Sequence, residues 1–143
     1  MKVVVDTNIV FSCVVRSDSA IGEVLLHDPG QLRFYAPTLL EEEFARYRTK
    51  LKRASKLNDE QLGAAWSAIR SNIEFISDAA VSLESRAKGR SIAAGTDEFD
   101  APFIALAIEL DALLWTGDYA LIRGARRKGF HQLITTVELA QMR

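Results

Sequence analysis

Cysteine is almost missing from this chain of 143 residues. The one thiol, Cys13, has no partner for an internal disulfide, so nothing calls for an oxidising compartment and the expected location is the cytoplasm. Histidine occurs twice, at His27 and His131, without metal-ligand spacing, and neither these nor the lone thiol make a zinc site. Long apolar runs are lacking as well. The N-terminal valines meet Asp6 after only three residues, too few for the core of a signal peptide, and no stretch approaches the ~18 uninterrupted apolar residues of a membrane span. We therefore expect neither secretion nor anchoring. Three prolines and a 48% hydrophobic composition set the chain apart from disordered proteins. Charge of one sign is also missing, since 18 basic residues nearly balance 19 acidic ones.

What is present is an alternation. VVVD (3 to 6), RFYAP (33 to 37), IEFIS (73 to 77), ALLWT (112 to 116) and QLITT (132 to 136) are short and rich in β-branched or aromatic residues. Longer segments of helical spacing lie between them. Asp18 or Ser19 is placed to cap AIGEVLLH, Thr38 to cap LLEEEFARYRTKL, and Asn58 to cap DEQLGAAWSAIRS, with Gln61 at the capping-box position. Strands alternating with helices predict an α/β fold: one domain over residues 1–143, three layers (α/β/α), and a central parallel sheet of about five strands with right-handed crossovers. The segment from Glu84 to Asp100 breaks the rhythm with Gly89, Gly95 and small residues, and reads as a mobile loop leading into a helix.

In a parallel sheet the carboxyl edge of the strands makes the site. Asp6 ends the first strand and Asp118 follows ALLWT through Thr116 and Gly117, so both leave the sheet at that edge. Three consecutive glutamates follow Thr38. At ~100° per residue, with Leu40, Phe44, Tyr47 and Leu51 as the buried stripe, Glu42 points away from the core and Glu43 lies nearest the stripe. Asp100 opens a strongly apolar helix, DAPFIALAIEL, with Pro102 in the first turn where proline is tolerated. A plain structural role competes here, because Asp97 and Asp100 are good helix N-caps. Asp6, Glu43, Asp100 and Asp118 would nonetheless converge in the proposed fold, and unpaired they would repel and raise one another's pKa. A hard divalent cation removes the conflict, and an all-oxygen donor set selects Mg²⁺ or Mn²⁺.

DTN after the first strand, an acid in the helix after the second, DEFDAPFIALA, and a late TGD followed by Tyr119, Ala120, Leu121 and Ile122 together resemble the PIN-domain ribonucleases. The resemblance runs from Lys2 to about Leu139. It implies that Asp6, Glu43, Asp100 and Asp118 form the family's acidic quartet, with Glu42 the alternative to Glu43. It likewise implies that Asn8 and Thr116 support the first and last acids and that Asp97 is an additional acid. The implied chemistry is metal-dependent hydrolysis of phosphodiester bonds in single-stranded RNA. Implied partners are RNA, an antitoxin protein if the chain is a toxin, and a second copy in a homodimer, with Leu25, Leu26, Leu57 and Leu62 as interface or core.

Bases cluster at RYRTKLKR (46 to 53) and RGARRK (123 to 128), where they serve as solvated helix faces or grip a polyanion. For an RNA path the nominated bases are Arg46, Lys50, Arg86, Lys88, Arg90 and, on the opposite side, Arg123. Trp115 and Trp66 read as core. A haloacid-dehalogenase type of phosphatase would want a second acid where Asn8 stands. A receiver domain would want an adjacent acidic pair and a late lysine, and neither is present. The remaining alternative is a module of the same fold that binds RNA or protein with little catalysis.

Overall fold

The computed structural model describes residues 1–142. Three consecutive valines favour extended backbone, and β1 (Lys2–Val5) runs up the middle of the sheet. It pairs with β2 (Arg33–Pro37) on one side and β4 (Leu113–Trp115) on the other. Outside these lie β3 (Ile73–Ile76), against β2, and β5 (Leu133–Ile134), against β4. The order is β3-β2-β1-β4-β5 and every pairing is parallel, which is the expected α/β architecture. Val3, Val4 and Val5 are all inaccessible to solvent, so β1 is covered on both faces, as the central strand of a parallel sheet must be.

In chain order the helices are α1 (Thr7–Val15), α2 (Ala20–His27), α3 (Leu39–Arg46), α4 (Arg48–Ser55), α5 (Asp59–Arg70), α6 (Leu83–Ala93), α7 (Ala101–Leu110), α8 (Tyr119–Arg127) and α9 (Thr136–Gln141). Ser19, and not Asp18, caps α2 by accepting from the Gly22 amide. Asn58 and Gln61 form the reciprocal capping box of α5, with both hydrogen bonds made. The apolar α7 packs on β1, β2 and β4, and Trp115 is wholly buried, its indole N–H donating to Thr136 Oγ1 at 3.0 Å. Trp66 lies flat on Phe44 with ring centroids 4.1 Å apart.

Several expectations need correction. The segment from Glu84 to Asp100 is no loop for most of its length: α6 occupies Leu83–Ala93 and a 3-10 turn spans Glu98–Asp100. The small residues that suggested mobility are what lets α6 lie close against α7. Ser85, Gly89 and Ala93 form a buried stripe, and a Cβ on Gly89 would stand 2.7 Å from the backbone oxygen of Ala101. Ser82 starts the helix by accepting from the Ser85 amide.

The helix after Thr38 is also interrupted, at Tyr47, whose backbone (φ −100°, ψ 12°) separates α3 from α4. Leu51 returns to the core while the Tyr47 ring turns outward, 40% exposed, instead of joining the buried stripe. Thr38 stands at the start of α3 without a side-chain capping bond. The suggested leucine interface is interior: Leu25 and Leu62 are buried, and Leu26 and Leu57 pack against the core. Among the described residues no helix is long and apolar enough to cross a membrane.

Candidate active site

The chain lays β1, β2 and β3 outward on one side and returns to place β4 and β5 on the other, so the direction of winding reverses between β1 and β4. Parallel sheets open a crevice at such a point, beyond the carboxyl ends of the strands. Asp6 leaves β1 there, its amide still bonded to the Trp115 carbonyl of β4 at 3.0 Å. One hydroxyl ties the two strand ends together. Thr116 Oγ1 donates to Asp6 Oδ2 at 2.8 Å and accepts from the Asp118 amide at 3.1 Å, so a single buried threonine positions both aspartates.

Each remaining acid arrives on its own element. Glu43 sits in α3 and reaches back to α1, where Thr7 Oγ1 donates to its Oε1 at 2.9 Å. The neighbouring glutamates face elsewhere: Glu41 pairs with Arg70 at 2.8 Å and Glu42 is exposed. Asp118 Oδ1 accepts from the amides of Ala120 and Leu121, which makes this aspartate the N-cap of α8. Asp97 caps the 3-10 turn by accepting from the Phe99 amide, the structural role that competed for it. Asp100 stands at the entry of α7 but makes no capping bond.

Asp6, Glu43, Asp97 and Asp100 line one cleft of about 410 Å³, together with Thr7 and Asn8. Asp118 acts on it electrically, since its charge bears on both Asp6 and Asp100. Burial, reinforced by the other acids, raises Asp6 to about 6 even though Thr116 and the Thr7 amide pull the other way. Burial followed by the charges of Asp6, Asp97, Asp118 and Glu43 raises Asp100 to about 7. Glu43 is raised in the same way, with the Thr7 hydroxyl and Arg46 partly offsetting the burial.

An excess of buried negative charge without a cation is a standing cost. Asp100 Oδ2 sharpens it, being a buried carboxylate oxygen without a hydrogen-bond partner. Oxygen donors only, several carboxylates and one unsatisfied buried oxygen fit a hard divalent cation such as Mg²⁺ or Mn²⁺ in kind. Among the described residues no group of three or more acids, cysteines or histidines is arranged so that it could hold a metal ion.

The nominated bases divide. Lys50 lines the acidic cleft. Arg46 is exposed but close enough for its charge to act on Glu43. Arg86 and Arg90 line a separate cleft with Asp78 and Glu98, and Arg86 Nε donates to the Val81 carbonyl. Lys88 pairs with Glu84, and Arg123 is exposed on α8. Cys13 is buried, with its thiol pushed up to about 11, which keeps it out of any chemistry here.

Two features of the site escape a reading of the sequence. Thr7 holds Glu43, a contact across 36 positions that only the fold creates, although a hydroxyl beside Asp6 is itself a hint. Phe11, Tyr47 and Phe99 line the same cleft, scattered over three elements with no spacing in common.

A family model described as the PIN domain matches residues 4–138. No characterised protein matches the chain.

Proposed function

Because the chain belongs to the PIN-domain family, we propose that it is a metal-dependent endoribonuclease that hydrolyses phosphodiester bonds in single-stranded RNA, with Asp6, Glu43, Asp100 and Asp118 as its active acids. The observation that carries this reading is the Asp100 carboxylate: half-buried beside other acids, raised to about 7, and left with one buried oxygen unsatisfied. Such a group is costly unless its task is to hold a cation.

Asp6, Asp100 and Asp118 would hold Mg²⁺ or Mn²⁺, and Glu43 would hold a second ion or orient the attacking water. The ion, when bound, supplies a lowered pKa for water and neutralises charge building up on the phosphate. The chain supplies the positioning. Thr116 fixes the rotamers of Asp6 and the backbone of Asp118 through one hydroxyl, and the two amides at the start of α8 fix the Asp118 carboxylate. Thr7 fixes Glu43 at the rim, where its raised pKa suits it to take a proton from water. Asn8, exposed on the cleft wall, contributes an amide toward the substrate or the first acid, and Asp97 adds charge at the entrance.

The decisive assay is cleavage of a labelled single-stranded RNA with Mg²⁺, with Mn²⁺ and with excess chelator, with Asp6→Asn alongside. Cutting that requires metal and disappears in the variant is the expected result. No metal binding and no cutting under any condition would leave the fold as a binding module. We extend the proposal to a cytoplasmic toxin acting as a homodimer and restrained by an antitoxin. Growth arrest on expression of the chain alone, relieved by a neighbouring gene product, is the outcome that supports it.

A further inference from the structure

Beyond the proposed ion, the cleft offers an RNA backbone little to grip, since four acids line it and Lys50 is the one cation among its lining residues. Affinity for the strand must come largely from elsewhere, and the cleft walls show from where. Phe99, a residue 61% exposed, lines the cleft beside Asp97 and Asp100. Across sequence and element boundaries, Tyr47 lines it 40% exposed, its ring edge-on to that of Phe11 with centroids 6.0 Å apart. Rings this exposed contribute little to the core.

A second trough of about 480 Å³ continues from the first, sharing Asn8, Phe11 and Val15 with it and running along α1 to Ile21. Its wall is mostly apolar, and Val15 is exposed on it. A strand that places a phosphate at the carboxylates must lay its neighbouring bases on the adjoining surface, and that surface is aromatic and apolar.

We infer that Phe99 and the Tyr47 and Phe11 pair are base-stacking positions that hold unpaired nucleobases on either side of the scissile phosphate. Unpaired RNA is thereby selected over duplex, whose bases are already stacked on one another. This inference rests on the ribonuclease reading of the carboxylates. Stacking works on any base because every base has a π face, so it restricts the substrate to unpaired strands without dictating sequence. Phe99 and Tyr47 act on strand affinity and contribute nothing to the bond-breaking step itself.

The test is fluorescence anisotropy of a labelled eight-nucleotide oligoadenylate, and of a chain of the same length and charge lacking bases, with Mg²⁺ present. The full chain carries Asp118→Asn to prevent cutting, and KM is measured in parallel on the unsubstituted protein and its Phe99→Ala variant. Phe99→Ala and Tyr47→Ala should each weaken oligoadenylate binding about 10-fold. Tyr47→Phe should stay within about 3-fold because the ring survives, and the base-free chain should bind every variant alike. Unchanged binding or KM in Phe99→Ala, or a base-free chain held as tightly as oligoadenylate, overturns the inference while metal-dependent cleavage upholds the ribonuclease reading. Base-dependent binding without metal-dependent cleavage has the opposite meaning. An Ala variant that changes the molecular mass in sedimentation but not RNA binding would also overturn it, marking the trough as a protein contact.

Discussion

Substituting Asp100 by Asn should make the metal-free protein more stable, and by an amount that depends on pH. Asp100 titrates at about 7 in the folded chain against 3.8 for an ordinary aspartate. Between those pH values the folded state keeps a proton that the unfolded state has lost, so stability falls as pH rises from about 4 through about 7 and the loss is complete above that. At about 1.4 kcal/mol per pH unit the full difference is worth roughly 4 kcal/mol. Asp100 is only half-buried, water screens its charge, and ~2 kcal/mol is the expected penalty at pH 8. Asn carries no charge and escapes it. For a domain of this size the variant should melt about 6 °C above the parent at pH 8 in excess chelator. At pH 5, where less than half of the penalty has developed, the advantage should shrink to about 2 °C. Saturating Mg²⁺ or Mn²⁺ should reverse the order, since the ion stabilises the parent by mass action and the variant has lost one of its oxygens. The assay is differential scanning calorimetry of both proteins at the two pH values, with and without metal. A variant no more stable than the parent at pH 8 in chelator, or an advantage equal at both pH values, would refute the reasoning.

Three further outcomes follow from individual contacts. Thr116→Val keeps the shape but removes the hydroxyl that donates to Asp6 and accepts from Asp118, so metal-dependent cleavage should fall ~10- to 100-fold while Thr116→Ser retains most of it. Equal rates for the two variants would show that the bridge does not matter. Glu43→Gln should lower cleavage at least ~10-fold and Glu42→Gln by less than ~2-fold, since Glu43 alone of the two lines the cleft; steady-state rates on one RNA decide it, and the reverse order would move the active acid by one position. Gly89→Ala forces a methyl group to within 2.7 Å of the Ala101 carbonyl oxygen, and urea unfolding should register a loss of ~1 to 3 kcal/mol.

Much of the fold is legible in local pattern because a parallel sheet writes itself as short apolar runs at intervals. The β2 run from Arg33 to Pro37 coincides with its strand, β1 keeps the expected length but starts one residue earlier, at Lys2, and β3, β4 and β5 lie inside the expected segments, shorter by one to three residues. The capping box at Asn58 is legible for the same reason, since both its hydrogen bonds are three residues apart. The helix α6 is not. Its buried stripe is Ser85, Gly89 and Ala93, small residues that mark no apolar periodicity, and their purpose, close approach to α7, exists only once α7 is in place. Tyr47 fails for a related reason, because a helical wheel assumes an unbroken axis and the axis breaks at that residue.

By itself the sequence determined the α/β class, the strands that carry Asp6 and Asp118 to one edge, and the wheel position that turns Glu43 nearest the buried stripe, because each depends on residues close together along the chain. Only the tertiary structure decided how those acids are held and what surrounds them. The hydroxyl of Thr116 reaches Asp6 across 110 positions and that of Thr7 reaches Glu43 across 36, while the oxygen of Asp100 is left buried and unsatisfied. Burial and long-range hydrogen bonds are properties of the packed chain, and it is burial beside like charges that raises Asp6, Glu43 and Asp100 above the range of ordinary carboxylates.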